Sequence, residues 1–361
     1  MNTMSGEFEQ RRQRLRQFFK ELRVDAILVT ALPNVRYLSG FTGSNAMLLV
    51  TADRELLFTD PRYQAQAPRE SECEVKVAKG ALPKQVLKWV KRLLIRKLGF
   101  EEGRIGFAQY QRIKEDSTGV RLMPVANVPE KLRMVKSPVE IAAIRASVDL
   151  NSQAFEEGFR HFRPSMSEVD LAAEIDYRMR LLGADSNAFS TIVASGERTA
   201  LPHAHPSVQA IERNELLLID MGATVSGYAS DMTRTRAVGT VSAKARRMYR
   251  AVLESQLAAI EAVRPGVSCS RVDEAAREVL RGYQLDKAFI HSTGHGLGLE
   301  IHEDPRVGRK EKTKLTEGMT ITIEPGAYIE GLGGIRIEDT VVVTEHGCAV
   351  LTPTPKELVV L

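Results

Sequence analysis

The sequence predicts an α+β protein in which a C-terminal domain with pseudo-twofold symmetry follows a smaller α/β domain. Three observations carry this expectation. Strand-like and helical runs alternate through residue 107, as in an α/β unit. From residue 138 the order changes to helix pairs followed by strand-rich segments, which predicts helices on one face of a curved antiparallel sheet. One strand grammar also occurs twice: Leu216-Leu217-Leu218-Ile219-Asp220-Met221-Gly222 is matched by Met319-Thr320-Ile321-Thr322-Ile323-Glu324-Pro325-Gly326. Each is an apolar strand ending in an acid with glycine close behind.

Taken in order, residues 8–22 read as a helix with Phe8, Leu15, Phe18, Phe19 and Leu22 on its apolar side. Strand-like runs follow at 26–30, 46–51 and 55–59, the last two joined by an Ala52-Asp53 turn. A strand at 75–78, a helix at 82–98 and a strand at 105–107 complete the first domain, and the proline-punctuated stretch 123–138 reads as a linker. The expected domains are 1–130 and 131–361. Ser137-Pro138-Val139-Glu140 then opens a long helix, with a serine cap, proline in the first turn and glutamate three positions after the cap. Helices are expected at 138–162, 166–182, 242–263 and 269–281 from amphipathic spacing.

Bulk composition narrows the function classes. A chain of 361 residues can hold two cores, and 43% hydrophobic with 27% charged residues describes an ordinary globular protein. The formal charge of +4 is small. The basic residues between Lys84 and Lys97 alternate with Leu87, Val90, Leu94 and Leu98 at helical spacing, so they read as a solvated helix face. No nucleic-acid or membrane partner is expected. Cys73, Cys269 and Cys348 show neither zinc spacing nor a disulfide framework, and the polar N-terminus has no apolar signal core. A cytoplasmic location is the expectation.

The chemistry concentrates in Asp220, Asp231, His295, Glu324 and Glu338. Side chains alternate faces along a strand. Met319, Ile321 and Ile323 therefore oppose Thr320, Thr322 and Glu324, while Ile335 and Ile337 oppose Arg336 and Glu338. Asp231, Thr233 and Thr235 share a face by the same rule. Any one of these acids alone would read as a strand end in solvent. Together they form two matched pairs, one from each half, facing a shared cleft. Four carboxylates can share a pocket only if cations neutralise them. Oxygen-rich ligation with one imidazole suits two divalent ions, Mn²⁺ above all, with Co²⁺ or Zn²⁺ as alternatives. Of seven histidines, five fall in two clusters: His203 and His205, then His291, His295 and His302. The second cluster is glycine-rich, so its backbone can approach a ligand or ion closely.

These residues resemble the pita-bread metallopeptidases, specifically the aminopeptidase P and prolidase branch with its creatinase-like N-terminal domain. The resemblance rests on Asn34-Val35-Arg36-Tyr37-Leu38-Ser39-Gly40-Phe41-Thr42-Gly43-Ser44 and Thr59-Asp60-Pro61-Arg62-Tyr63 in the first domain. In the second it rests on Lys136-Ser137-Pro138-Val139-Glu140-Ile141, His203, Asp220, Asp231, His291-x-x-x-His295, His302, Glu324-Pro325-Gly326 and Arg336-Ile337-Glu338-Asp339.

The resemblance implies that Asp220 chelates one ion, that His295 and Glu324 hold the other, and that Asp231 and Glu338 bridge them. It implies Glu324 as proton acceptor, and His203 and His302 lining the substrate cleft. His291 and Arg336 are expected in support, Arg336 near Glu338 or a substrate carboxylate. The implied substrate is a proline-containing peptide cut at an Xaa-Pro bond, and the implied assembly is a homodimer. All five ligand positions are filled, unlike in creatinase, which works without metal, or in relatives that only bind other proteins. The Gly40–Ser44 and Asp60–Tyr63 stretches lean toward an Xaa-Pro aminopeptidase, with an Xaa-Pro dipeptidase as the alternative.

Overall fold

The computed structural model describes residues 5–163 and 165–361. The chain divides at Arg133 and Met134 into two compact units. In the first, six strands form one sheet in the order Glu74–Val77, Glu55–Thr59, Ala46–Thr51, Ala26–Val29, Lys97–Glu101, Arg121–Val125. Leu28, Leu49, Leu56 and Phe58 pack against Val86, Leu87 and Val90 of the helix Leu82–Arg92 and Ile113 of the helix Phe107–Asp116.

Four sequence expectations shift here. The helix expected over 82–98 ends at Arg92, because Leu94 turns out at φ 57° and is 83% exposed. Leu98 then belongs to the strand Lys97–Glu101, where it pairs in parallel with Ala26. In place of the strand expected at 105–107, Ile105 and Gly106 form a bend that leads into the helix Phe107–Asp116. The expected linker holds the strand Arg121–Val125 and the helix Val128–Arg133. Pro124 is tolerated because that strand lies at the sheet edge, where a missing N–H loses no ladder bond. The N-terminal helix breaks at Phe18 into Ser5–Gln17 and Phe19–Leu22.

The second unit opens with the helix Pro138–Arg160. Ser137 Oγ accepts from Glu140 N at 3.3 Å, and Glu140 Oε2 accepts from Ser137 N at 3.0 Å, so two orphan amides are satisfied reciprocally. Ser167 and Asp170 cap the next helix, Glu168–Leu181, in the same way. This helix pair covers the strands Ile192–Ser195, Glu215–Met221 and Met232–Val238. Phe155, Leu171, Ile175 and Met179 meet Leu217, Ile219, Met221 and Met232 in one core. The second helix pair, Ala243–Ala262 and Cys269–Gly282, covers Thr320–Ile323 and Asp339–Val343, burying Ile321, Ile323 and Val341 against Val252, Val272 and Leu280.

The pseudo-twofold pattern is fuller than the sequence grammar alone. In each half a strand ends at an acid, a small hairpin follows, and a second acid precedes the return strand. Glu215–Met221 carries Asp220, the hairpin is Ala223–Val225 with Tyr228–Ala229, and Asp231 precedes Met232–Val238. Thr320–Ile323 leads to Glu324, the hairpin is Gly326–Ile329 with Gly333–Arg336, and Glu338 precedes Asp339–Val343. The outer strands pair antiparallel in both halves, with Thr233 opposite Asp220 and Asp339 opposite Ile323. Each hairpin thus sets the gap between two acids, while the strands hold both on one face.

Candidate metal centre

Asp231, His295 and Glu338 converge: one donor atom from each lies within 4.8 Å of the others. His295 Nε2 is 3.5 Å from Asp231 Oδ2 and 3.5 Å from Glu324 Oε1. Its Nδ1 lies 2.9 Å from Gly296 O. A carbonyl can only accept, so Nδ1 carries a proton and Nε2 is the ring atom turned to the acids, the orientation a metal-ligating histidine adopts. Thr322 Oγ1 accepts from His295 N at 3.1 Å and donates to Glu324 Oε1 at 3.3 Å, tying the two donors to one strand.

Electrostatics mark the same cluster. Burial, followed by the charges of Asp220 and Glu324, pushes the Asp231 carboxyl well above the ordinary carboxylate range. Burial and then Asp231 do the same to Glu338, and burial raises Glu324. Asp220 Oδ2 pairs with Arg336 at 2.7 Å, but its Oδ1 is buried with no hydrogen-bond partner among the described residues. An unpaired buried oxygen beside three other acids is a donor set short of a cation.

Arg336 organises the surroundings. Besides Asp220, it donates to Tyr328 Oη at 2.7 Å, to Thr233 Oγ1 at 3.0 Å and to Pro202 O at 3.2 Å. Thr233 Oγ1 passes its own proton to Glu338 Oε2 at 2.7 Å. Arg336 thus reaches Glu338 only through Thr233, and its direct carboxylate partner within the protein is Asp220. His291 donates from Nδ1 to Ser292 O at 2.8 Å, so its Nε2 accepts from Tyr328 Oη at 2.9 Å. Both ring nitrogens of His291 are thus engaged by protein groups. Burial and then Arg336 push its pKa down to about 4.

His302 is exposed, with its ring 4.4 Å from that of His295. Burial of part of the ring and then His295 lower its pKa, and the charge of His203 acts in the same direction. His203 and His205 are both exposed on the loop that carries Pro202. The glycines of the 291–298 segment serve packing. A Cβ at Gly294 would lie 1.9 Å from Thr322 O, and one at Gly296 would lie 2.3 Å from Asp304 O. They let the His295 strand lie against its two neighbours.

Tyr328 went unrecognised in the sequence, although alternation could have found it. Ala327 is in the core and Ile329 packs against it, so Tyr328 faces the other side with Arg336. The buried Asp273–Arg277 pair, which holds the carbonyls of Phe289 and His291 from behind, left no such signal.

The chain as a whole has close counterparts among known proteins. The model for metallopeptidase family M24 matches residues 142–345, and the model for the creatinase/prolidase N-terminal domain matches 11–135. The chain belongs to metallopeptidase family M24. It is 38% identical to a Pyrococcus furiosus protein named Xaa-Pro dipeptidase, over 97% of this chain and 99% of that one. A solved Xaa-Pro dipeptidase from Bacillus anthracis superposes with a TM-score of 0.96 at 39% identity, covering 98% of this chain and all of that one. An X-Pro aminopeptidase from Thermotoga maritima gives 0.90 at 36%, covering 96% and 100%. As an M24 member the chain is a metal-dependent peptidase with a pita-bread catalytic fold. Its Asp, His and Glu cluster can hold a metal ion. Among the described residues no helix is long and apolar enough to cross a membrane.

Proposed function

We propose that this M24 peptidase hydrolyses Xaa-Pro dipeptides with two divalent cations, Mn²⁺ the best match to its oxygen-rich donors. The first-domain motifs favour an Xaa-Pro aminopeptidase. Full-length likeness to proteins named Xaa-Pro dipeptidase, at 38% and 39% identity, outweighs that lean. The observation that carries the metal reading is the convergence of Asp231, His295 and Glu338 donors within 4.8 Å.

Asp220 would hold one cation, His295 and Glu324 the other, with Asp231 and Glu338 between them. Cations held there would offset the charge of the acids and supply Lewis-acid chemistry toward the scissile carbonyl and a water molecule. Glu324 would hold the proton released from water and return it to the proline nitrogen. That nitrogen has no amide hydrogen to recognise, so the pocket must read the ring itself. His203 and His302, both exposed, would line the substrate cleft and donate to the scissile region and to the developing oxyanion. Tyr328 and Arg336 hold Asp220 and His291 in register behind them.

Turnover of a peptide-length series tests the reading. Metal-stripped protein is reconstituted with Mn²⁺, Co²⁺ or Zn²⁺ and offered Gly-Pro and Arg-Pro-Pro. Cleavage of Gly-Pro alone supports the dipeptidase, cleavage of both supports the aminopeptidase, and silence toward both with manganese present ends the peptidase reading.

A further inference from the structure

The loop that carries His203 is tied down at three places. At its centre, Arg336 donates to Pro202 O at 3.2 Å, and Gly334 N donates to Thr199 Oγ1 at 2.7 Å. Both ends converge on one side chain, Glu168, which is fully buried. Its Oε1 accepts from Ser195 N at 2.7 Å and Ser195 Oγ at 3.0 Å, where the loop leaves its strand. Its Oε2 accepts from Ser207 N at 2.9 Å and Ser207 Oγ at 2.7 Å, where the loop returns. Arg198 Nε bridges both oxygens at 3.2 and 3.0 Å, and its Nη2 reaches on to His205 O at 2.6 Å. Glu168 is the first residue of a long helix packed in the core, so the anchor is rigid.

We infer that Glu168 and Arg198 are a positioning pair for the peptidase reaction, closing the 195–207 loop so that His203 is held at the cleft. Without the carboxylate, Ser195 keeps its ladder partner Leu217 and Ser207 O its bond from Val169 N, but Arg198 loses its anchor and the stretch between them can pivot about Pro202 and Thr199. This deepens the proposed function and rests on the reading of His203 as a substrate-side donor. Neither residue touches the acid cluster, so neither should alter its metal content.

A double-mutant cycle on the manganese-loaded, full-length protein tests the inference with Gly-Pro as substrate. Glu168→Gln keeps the volume but turns an NH₂ toward groups that themselves donate. It should lower kcat by about 10–100-fold, the scale of a displaced catalytic group, with metal stoichiometry unchanged and faster hydrogen exchange at amides 196–207. In a His203→Ala background the same change should add less than about threefold, because residues acting through one another are not additive. Undiminished kcat in Glu168→Gln, or losses that multiply with His203→Ala, would overturn the pairing. His203→Ala with wild-type kcat and KM would instead refute the role given to His203. Arg198→Ala, at a partly exposed side chain, takes the place of Glu168→Gln in the cycle if the latter fails to fold.

Discussion

The guanidinium of Arg336 lies 2.7 Å from Asp220 Oδ2, joining the acid of the first half of the catalytic domain to the hairpin of the second. One cation of the protein's own thus offsets part of the charge of four clustered acids. Its planar fork reaches Asp220, Tyr328, Thr233 and Pro202 at once, which an ammonium cannot do. Arg336→Lys should therefore cut kcat/KM by roughly 100-fold through misplacement of Asp220. Arg336→Met leaves Asp220 without its partner and should cost the metal-free protein about 3–5 kcal/mol in urea unfolding. Wild-type kinetics in the lysine variant would refute the role of the fork.

Asp231 is a liability to the metal-free fold, because burial and like charge oppose its ionisation. Asp231→Asn should lower kcat by about 10³-fold or more, as loss of a residue at the heart of a catalytic unit does. The metal-free variant should nevertheless melt at or above the wild-type temperature. Thermal scans of both metal-stripped proteins check this, and a clear drop in melting temperature would contradict it.

The raised pKa values of Asp231 and Glu338 carry a pH dependence. Both groups bind protons more tightly folded than unfolded, so their contribution is fully present below the unfolded carboxylate pKa. It is lost as pH rises through the raised folded values. Cations must displace these protons, so affinity climbs with pH. The manganese-induced rise in melting temperature should be larger around pH 8 than around pH 6. Equal shifts at both would count against proton-coupled binding.

Tyr328 Oη accepts from Arg336 and donates to His291, all three being within hydrogen-bonding distance in a buried setting. Tyr328→Phe takes a partner from buried Arg336 and from half-buried His291, and should cost about 1–3 kcal/mol of unfolding stability. Calorimetry on the metal-free protein reads this directly.

His205 engages the structure through its carbonyl, which Arg198 holds, while its side chain is exposed. His205→Ala keeps that carbonyl and should change unfolding stability by no more than about 0.5 kcal/mol. Gly-Pro turnover should stay near the wild-type rate. A large loss would move His205 from the loop surface into the chemistry.

The acids were legible because strand alternation sorts Ile321 and Ile323 from Thr322 and Glu324 without knowledge of the fold. The long helix at Pro138 was legible because its capping box is written in four consecutive residues. What escaped were contacts between residues far apart in sequence. Glu168 meets Ser207 across a loop with no periodicity, and Asp273 meets Thr293 from a different element. Leu98 misled because it fits a helical stripe and a strand equally well, and only the parallel pairing with Ala26 decides between them.

The hairpin between Glu324 and Glu338 turns at Glu330 and Gly331, both exposed; Gly331 holds φ at 74°, so additions belong beside it and not in its place. Residues grafted into that bend would lengthen an arm whose base is pinned by the ladder from Gly326 to Arg336, leaving the acids below it where they are. The bend is thus a natural port for insertions, where a reporter dye or a gating peptide could be installed without retuning the chemistry.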